Sequence, residues 1–489
     1  MAKTMNKIQK TGSPFAGAAP EKTDRNPDAA QPAANSRAKA GDKPAETLRI
    51  LQGKKVGFIS LGCDKNRVDT EKCMAILRAH GCVLTNRQEE AEIVVVNTCA
   101  FLEKSRKEAI ETVLSAATAK AGNLEKLVVT GCLPAKFVGE LYDAMPEVDV
   151  FAGFADYEAL PRAVADSYHS GRQNIVGKGE EEKEGESRVL STPLHYAYLK
   201  IADGCNNHCT YCLIPKIRGR YRSFPMEKLV EEAENLGDVA ELILVAQDVT
   251  RYGEDLYGEN RLVGLLRALS ALENVAKIRL LYCYPDKIDD ALIDEIARND
   301  KIIKYIDIPL QHADGSVLKR MNRPGNAEAY LALLKKLRKK VPDIAVRSTF
   351  IAGFPGETEE NVQTLEAFLK KAGMHNVGFF AYSREPDTPA YKLKDQIPAR
   401  VKNARVKRLF AVQKEVADEI FASCVGKTIE VLCDGIDFGK KRFVGRADFQ
   451  APEIDGVVYF TAGHAAQGER YLVKITKYKN YDLYGEAVE

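Results

Sequence analysis

The sequence has no run of 18 apolar residues free of charge, so it offers no membrane-spanning helix. Its opening stretch, MAKTMNKIQKTGSPFAGAAPEKTDRNPDAAQPAANSRAKAGDKPAE, lacks the apolar core of a secretory signal and is rich in Ala, Pro, Lys and Asp. We read residues 1–50 as a disordered leader and the protein as cytoplasmic. Net charge is nearly absent: 71 basic and 69 acidic side chains leave a formal +2, which neither demands nor excludes nucleic acid. Cysteine is scarce and odd in number, 11 in 489 residues, and with no secretory signal this argues against a disulfide scaffold.

What is present is enough for several packed domains. A chain of 489 residues exceeds one ordinary hydrophobic core. From residue 51 to 168, short β-branched runs (KKVGFISLGC, AEIVVVNTCAF, EKLVVTGCLP) alternate with amphipathic helical segments, which predicts a parallel α/β domain. The polar, Gly-rich stretch GRQNIVGKGEEEKEGESRV falls in a linker placed at 169–190. Over 191–421 six strand-helix units follow, and six units fit an incomplete (β/α)6 barrel of the TIM-like kind. An ordinary doubly wound sheet has the same periodicity. From 422 to 489 short strands separated by glycine turns predict a small β-barrel, with six Lys and three Arg against five Asp and five Glu.

The cysteines carry the chemistry. Cys63, Cys99 and Cys132 each follow a predicted strand, in SLGC, VVNTC and VVTGC, and the carboxyl ends of parallel strands are where open α/β folds gather ligands. A shared metal site is one reading of this trio, and small buried apolar residues are the other. The second reading suits Cys73 and Cys82, which fall inside a predicted helix and strand. A second trio, Cys205, Cys209 and Cys212 in GCNNHCTYC, follows the first strand of the second α/β region. Structural zinc prefers four protein ligands, and His208, adjacent to Cys209, reaches awkwardly for a fourth place. Three thiolates instead leave one corner of a [4Fe-4S] cluster open.

The spacing CxxxCxxC, with Tyr211 before its last cysteine, resembles the signature of the radical S-adenosylmethionine (SAM) superfamily. There the open iron chelates the methionyl group, and one electron from the cluster cleaves the sulfonium to make a 5'-deoxyadenosyl radical. By that resemblance Tyr211 packs near the adenine and the turn Gly353, Phe354, Pro355, Gly356, Glu357 approaches the nucleoside, while Gln247 in VAQD, ending the second strand at the same mouth, is a further candidate for a cofactor contact. Asp307 and Gln311 in DIPLQHAD are weaker candidates, since polar residues at strand ends also cap turns.

With SLGCDKNRVDTE, NTCAF, TGCLP, LVAQDVTRYG, DIPLQHAD, MNRPG and TFIAGFPGETEE added, the chain resembles the methylthiotransferase family of radical SAM enzymes from residue 54 to 489. The resemblance implies a second [4Fe-4S] cluster on Cys63, Cys99 and Cys132, the radical cluster on Cys205, Cys209 and Cys212, and a terminal TRAM domain. It also implies SAM as both radical source and methyl donor, a one-electron reductant and a sulfur source. One branch of the family modifies an adenosine in transfer RNA; the other methylthiolates the β-carbon of an aspartate in ribosomal protein S12. SLGCDKN rather than a TFGCQMN-like start, LVAQD rather than LLGQN, and APEIDGVVY in the tail resemble the second branch. Its partner is S12 or the small ribosomal subunit, with no membrane and no side-chain base, because an unactivated C–H bond offers a base little acidity.

Overall fold

The computed structural model describes residues 47–178 and 188–488. Residues 1–46 of the predicted leader and 179–187 of the predicted linker lie outside the described residues. Over those residues the chain divides into two compact units. Among the described residues, one takes 47–62, Lys72–Cys99 and 106–178; the other takes Cys63–Glu71, Ala100–Ser105 and 188–488.

The first unit is built on strands β1 (Lys55–Ser60), β2 (Val83–Leu84), β3 (Ile93–Thr98), β4 (Lys126–Gly131), β5 (Val150–Phe151) and β6 (Gln173–Asn174). They form one parallel sheet in the order β2-β1-β3-β4-β5-β6. The central strand IVVVNT is buried at all six positions, as a strand covered on both faces must be. The chain joins this unit just before residue 51: a 3-10 turn, Arg49–Leu51, inserts Leu51 into the core beside Val56, Cys73, Leu77 and Cys82. Cys73 and Cys82 serve there as small apolar side chains. Pairing aligns Ser60 with Asn97 and Asn97 with Thr130 across the carboxyl edge.

The second unit begins its sheet with β7 (Tyr196–Lys200), followed by a two-strand ribbon of β8 (Ala202–Asp203) and β9 (Arg222–Ser223). Strands β10 (Glu241–Val245), β11 (Ile278–Leu280), β12 (Ile302–Asp307), β13 (Ala345–Ala352) and β14 (Asn376–Ala381) complete it. All six large strands run parallel in the order β14-β13-β12-β11-β10-β7, and the end strands do not pair, so the barrel is open. Side chains alternate between its faces. Ala197 and Leu199 pack under the helices, whereas Tyr196 and Tyr198 join Ile243, Tyr305, Val68 and Ala451 in a separate cluster on the other face.

The tail forms a closed barrel of β15 (Thr428–Asp437), β16 (Arg442–Ala447), β17 (Val458–Thr461), β18 (Arg470–Lys479) and β19 (Asp482–Ala487). Closure leaves no exposed sheet edge. Phe421 and Ala417 of the preceding helix, Ala399–Ala422, plug its core against Val431, Phe460 and Val473. A charge cluster fastens it to the open barrel: Glu241 of β10 accepts from Arg279 at 2.5 Å and from Arg446 of β16 at 2.7 Å.

The two guanidiniums hold the Glu241 carboxyl down at about 2 against the desolvation that would raise it. Its folded value lies below its unfolded one of about 4.3, so its contribution is fully present above that pH and fades as the pH falls toward 2. Glu241→Gln leaves both arginines without this charge in a dry site. We expect about 3 kcal/mol lower stability at neutral pH by chemical denaturation, with the gap to wild type narrowing as the medium is acidified below pH 4.

Candidate cluster and cofactor site

The β8–β9 ribbon pinches off the loop that carries Cys205, Cys209 and Cys212. Gly204 makes the pinch possible. Its φ is +76°, and a Cβ on it would fall 2.1 Å from the carbonyl oxygen of Arg220. The Cys205 amide then donates to the Gly219 carbonyl at 3.2 Å. Amides also point at sulfur: Asn207 N–H lies 3.5 Å from Cys205 Sγ, and Ile214 N–H lies 3.4 Å from Cys212 Sγ. Cys209 receives a guanidinium instead, with Arg323 Nη1 at 3.6 Å.

Arg323 is fixed by the Pro309 carbonyl at 2.6 Å and by the face of Tyr284, 4.2 Å from the ring centre. Its neighbours clamp the same loop. Asn322 donates to the His208 carbonyl at 3.0 Å, and the Met321 carbonyl accepts from the Thr210 amide at 3.0 Å. The segment MNRPG is therefore a brace for the cysteine loop, a role no local pattern in the sequence announced. His208 sits at φ +50°, and that backbone carbonyl is its contact with the brace.

Burial pushes the Cys205 thiol up to about 11 and the Cys212 thiol higher, while the Asn207 and Ile214 amides oppose the shift. Buried thiols flanked by hydrogen-bond donors are poor nucleophiles but good ligands, because a bound cation replaces the lost solvation. Donors to ligating sulfur are also how proteins tune iron-sulfur centres. The donor set therefore fits such a cluster. Among the described residues no three His, Cys, Asp or Glu side chains stand close enough to hold a single metal ion. A cluster, each of whose irons takes its own thiolate, asks for no such convergence.

Around the loop lie the other residues singled out in the sequence. Tyr211 packs against the barrel core, and burial raises its phenol well above the usual range. Gln247 follows β10 and donates through Nε2 to Asp203 Oδ1 at 2.9 Å, leaving Oε1 buried with no protein partner. Gly353 and Gly356 both have positive φ, +77° and +75°. The Gly353 amide donates to both oxygens of Glu357 at 2.9 Å, and Arg405 binds the same carboxylate at 2.8 Å. Glu357 thus shapes the turn from inside. Asp307 accepts from the Tyr282 amide and from Arg347, each at 3.1 Å, and Gln311 bridges β13 through its backbone. Half-exposed Phe380 of β14 continues this edge of the sheet.

Sequence reasoning missed one group entirely. Asp69 accepts from Lys200 at 2.5 Å and from Arg218 at 2.8 Å, and both cations also reach Asp203, at 3.2 and 2.7 Å. Arg218 extends to Asn66 at 2.6 Å. No local pattern hinted at it, because Asp69 lies more than 100 residues from both Lys200 and Arg218 in the chain.

In the first unit, Cys99 and Cys132 each lie two residues beyond the aligned pair Asn97 and Thr130. Gly131, at φ +95°, turns β4 directly into the helix that Cys132 opens; a Cβ there would fall 2.1 Å from Asn97 Oδ1. Cys63 lies three residues beyond Ser60 of β1, is exposed, and opens the stretch Cys63–Glu71 that belongs to the second unit.

An open six-stranded parallel barrel with a braced three-cysteine loop after its first strand, continued by a closed five-stranded barrel, defines a radical SAM enzyme that uses SAM and an iron-sulfur cluster. Residues 199–369 match the radical SAM superfamily, 55–153 the uncharacterized protein family UPF0004, and 425–488 the TRAM domain. The chain is 46% identical over 439 residues to "Ribosomal protein uS12 methylthiotransferase RimO" of Lachnoclostridium phytofermentans, covering 88% of this chain and 100% of that protein. It is 43% identical to the protein so named in Clostridium tetani, over 88% of this chain and 97% of that one, and 45% identical to that of Symbiobacterium thermophilum, over 89% and 91%. The chain belongs to this RimO methylthiotransferase family. Among solved structures, the cobalamin-dependent SAM radical enzyme OxsB covers 76% of this chain and 57% of its own at TM-score 0.47 and 12% identity, a likeness too loose to argue from.

Because both the positive φ and the Arg220 carbonyl forbid a side chain at residue 204, Gly204→Ala tests the loop directly. We expect a destabilisation of about 2 kcal/mol and loss of most iron from the Cys205 loop, read by thermal unfolding and iron analysis.

Proposed function

We propose that the chain methylthiolates the β-carbon of an aspartate in ribosomal protein uS12, using two [4Fe-4S] clusters. The observation that carries the reading is the braced loop of three thiols at the carboxyl end of the first barrel strand, in a chain that belongs to the RimO family. When bound, the cluster and SAM supply one-electron cleavage of a sulfonium and a transferable methyl group.

The chain's own work is holding and excluding. Cys205, Cys209 and Cys212 would hold the radical cluster, and Cys63, Cys99 and Cys132 a second one, which would supply the sulfur chemistry. Each set offers three thiolates, one fewer than a [4Fe-4S] cluster has irons. The unpartnered Gln247 Oε1 is an acceptor for a donor on SAM, with Asp203 setting the amide's orientation. Tyr211 and the Gly353-to-Glu357 turn line the nucleoside end. No general base is assigned, because hydrogen-atom removal from an unactivated carbon requires proximity and a dry site rather than a proton acceptor. The balance of the reaction needs an external one-electron reductant and a sulfur source. A ribosomal substrate places the work in the cytoplasm; no helix among the described residues is long and apolar enough to cross a membrane.

Anaerobic reconstitution should give about eight irons per chain, and joint replacement of Cys205, Cys209 and Cys212 by Ala about four. With reductant, SAM and a sulfur source, mass spectrometry should find a methylthio group on an aspartate of uS12 and none on adenosine of transfer RNA offered in parallel. Modified adenosine beside untouched uS12 would overturn the substrate. Full uS12 modification after loss of Cys63, Cys99 and Cys132 would overturn the second cluster's part.

A further inference from the structure

The buried cations of the open barrel and of the tail packed on it are mostly shared between two carboxylates. Lys200 and Arg218 each bind Asp69 and Asp203, Arg347 lies between Asp307 and Asp455, and Arg446 between Glu241 and Asp434. Arg323 is taken up by Cys209 and Tyr284. Lys65 is different. Its ammonium meets one carboxylate, Asp64, at 2.9 Å, and otherwise lies on the face of Tyr282, 3.3 Å from the ring centre.

That one carboxylate is itself divided. Asp64 Oδ1 takes the Lys65 ammonium at 2.9 Å, the Lys65 amide at 2.9 Å and the Tyr282 hydroxyl at 3.4 Å. The ammonium is therefore held in place by a ring and a shared oxygen, with charge to spare for a second anion.

Tyr282 sits where a ligand would be met. It follows β11, the third large strand of the barrel, at φ +58°, a conformation rare for an aromatic residue and one that collects at functional sites. Its amide donates to Asp307 at 3.1 Å and its carbonyl accepts from Val249 at 3.1 Å, so the strained position is fixed from both sides. Lys65 in turn stands two residues after Cys63.

We propose that Lys65, backed by Tyr282, recognises the side-chain carboxylate of the target aspartate. This deepens the uS12 reading and rests on it. The β-carbon of an aspartate is one bond from its carboxylate carbon, so a cation that pins the carboxylate also pins the C–H bond to be broken. The sequence agrees: SLGCDKN carries a charged pair where a TFGCQMN-like start carries none, and an adenine target has no carboxylate to read. The alternative is that Lys65 merely ties the helix Asp64–Ala79 to Tyr282.

The two roles separate in a binding measurement without reductant, using full-length, cluster-loaded enzyme with uS12 and with uS12 whose target aspartate is changed to asparagine. Wild type should bind the aspartate form at least about tenfold more tightly. Lys65→Met should bind both forms alike, with its affinity for the asparagine form close to that of wild type, and Lys65→Arg should keep the preference. A Lys65→Met enzyme that retains the preference, or that loses affinity for both forms equally, overturns the proposal. Should Lys65→Met lose its iron, Lys65→Gln against Lys65→Arg gives the same comparison, with the preference lost only in the first. A wild type that methylthiolates uS12 yet shows no preference defeats this proposal alone, whereas one that never modifies uS12 defeats the substrate reading as well.

Discussion

Everything at the radical site hangs on where Asp203 is held. Its carboxylate takes Lys200 and Arg218 on one oxygen, and the Gly204 amide and Gln247 on the other, all in a dry environment. The two cations keep it charged well below the usual carboxylate range. A buried pair of this kind contributes little net stability compared with apolar packing, but removing one member leaves an unmatched charge, so the arrangement admits few alternatives. The consequence is geometric. Asp203 fixes the residue before Cys205 and the orientation of the Gln247 amide at once, and Asp69 ties the same cations to the helix that follows Cys63.

A second polar layer explains why the open barrel tolerates an interior of charges. Glu241, Arg279 and Arg446 occupy one end of the sheet face on which Tyr196, Tyr198 and Tyr305 pack, and Lys200 and Asp307 occupy the strand ends at the other. The aromatic layer between them keeps water from the first group and forms the floor of the second. The closed barrel of the tail is therefore part of the support of the radical domain, through Arg446 and through Asp455, which accepts from Tyr305 at 2.8 Å.

The sequence made some of this legible and some not, for physical reasons. The strand AELILVA declares itself because burial on both faces leaves the apolar run LILVA, whereas IAVRSTFIAG, with Arg, Ser and Thr in its middle, and the other large strands of the barrel are read from their alternation with amphipathic helices. The cysteine loop is legible because its three thiols are local in sequence. Long-range pairings are not: Asn322 and Arg323 reach back more than 100 residues to the cysteine loop, and Asp69 reaches forward to Lys200, without any periodic trace. Glu357 shows the opposite limit. Its place in GFPGE is plain, but that its oxygens are spent on Gly353 and Arg405 inside the turn emerges only in three dimensions.

The central claim is that a hydrogen atom leaves the β-carbon of a uS12 aspartate for the radical made at the Cys205 loop. The most direct measurement uses uS12 labelled with deuterium at the aspartate β-carbon and follows the label into 5'-deoxyadenosine by mass spectrometry. The account predicts one deuterium transferred for each methylthio group formed. Methylthio-uS12 accompanied by 5'-deoxyadenosine without deuterium would contradict it.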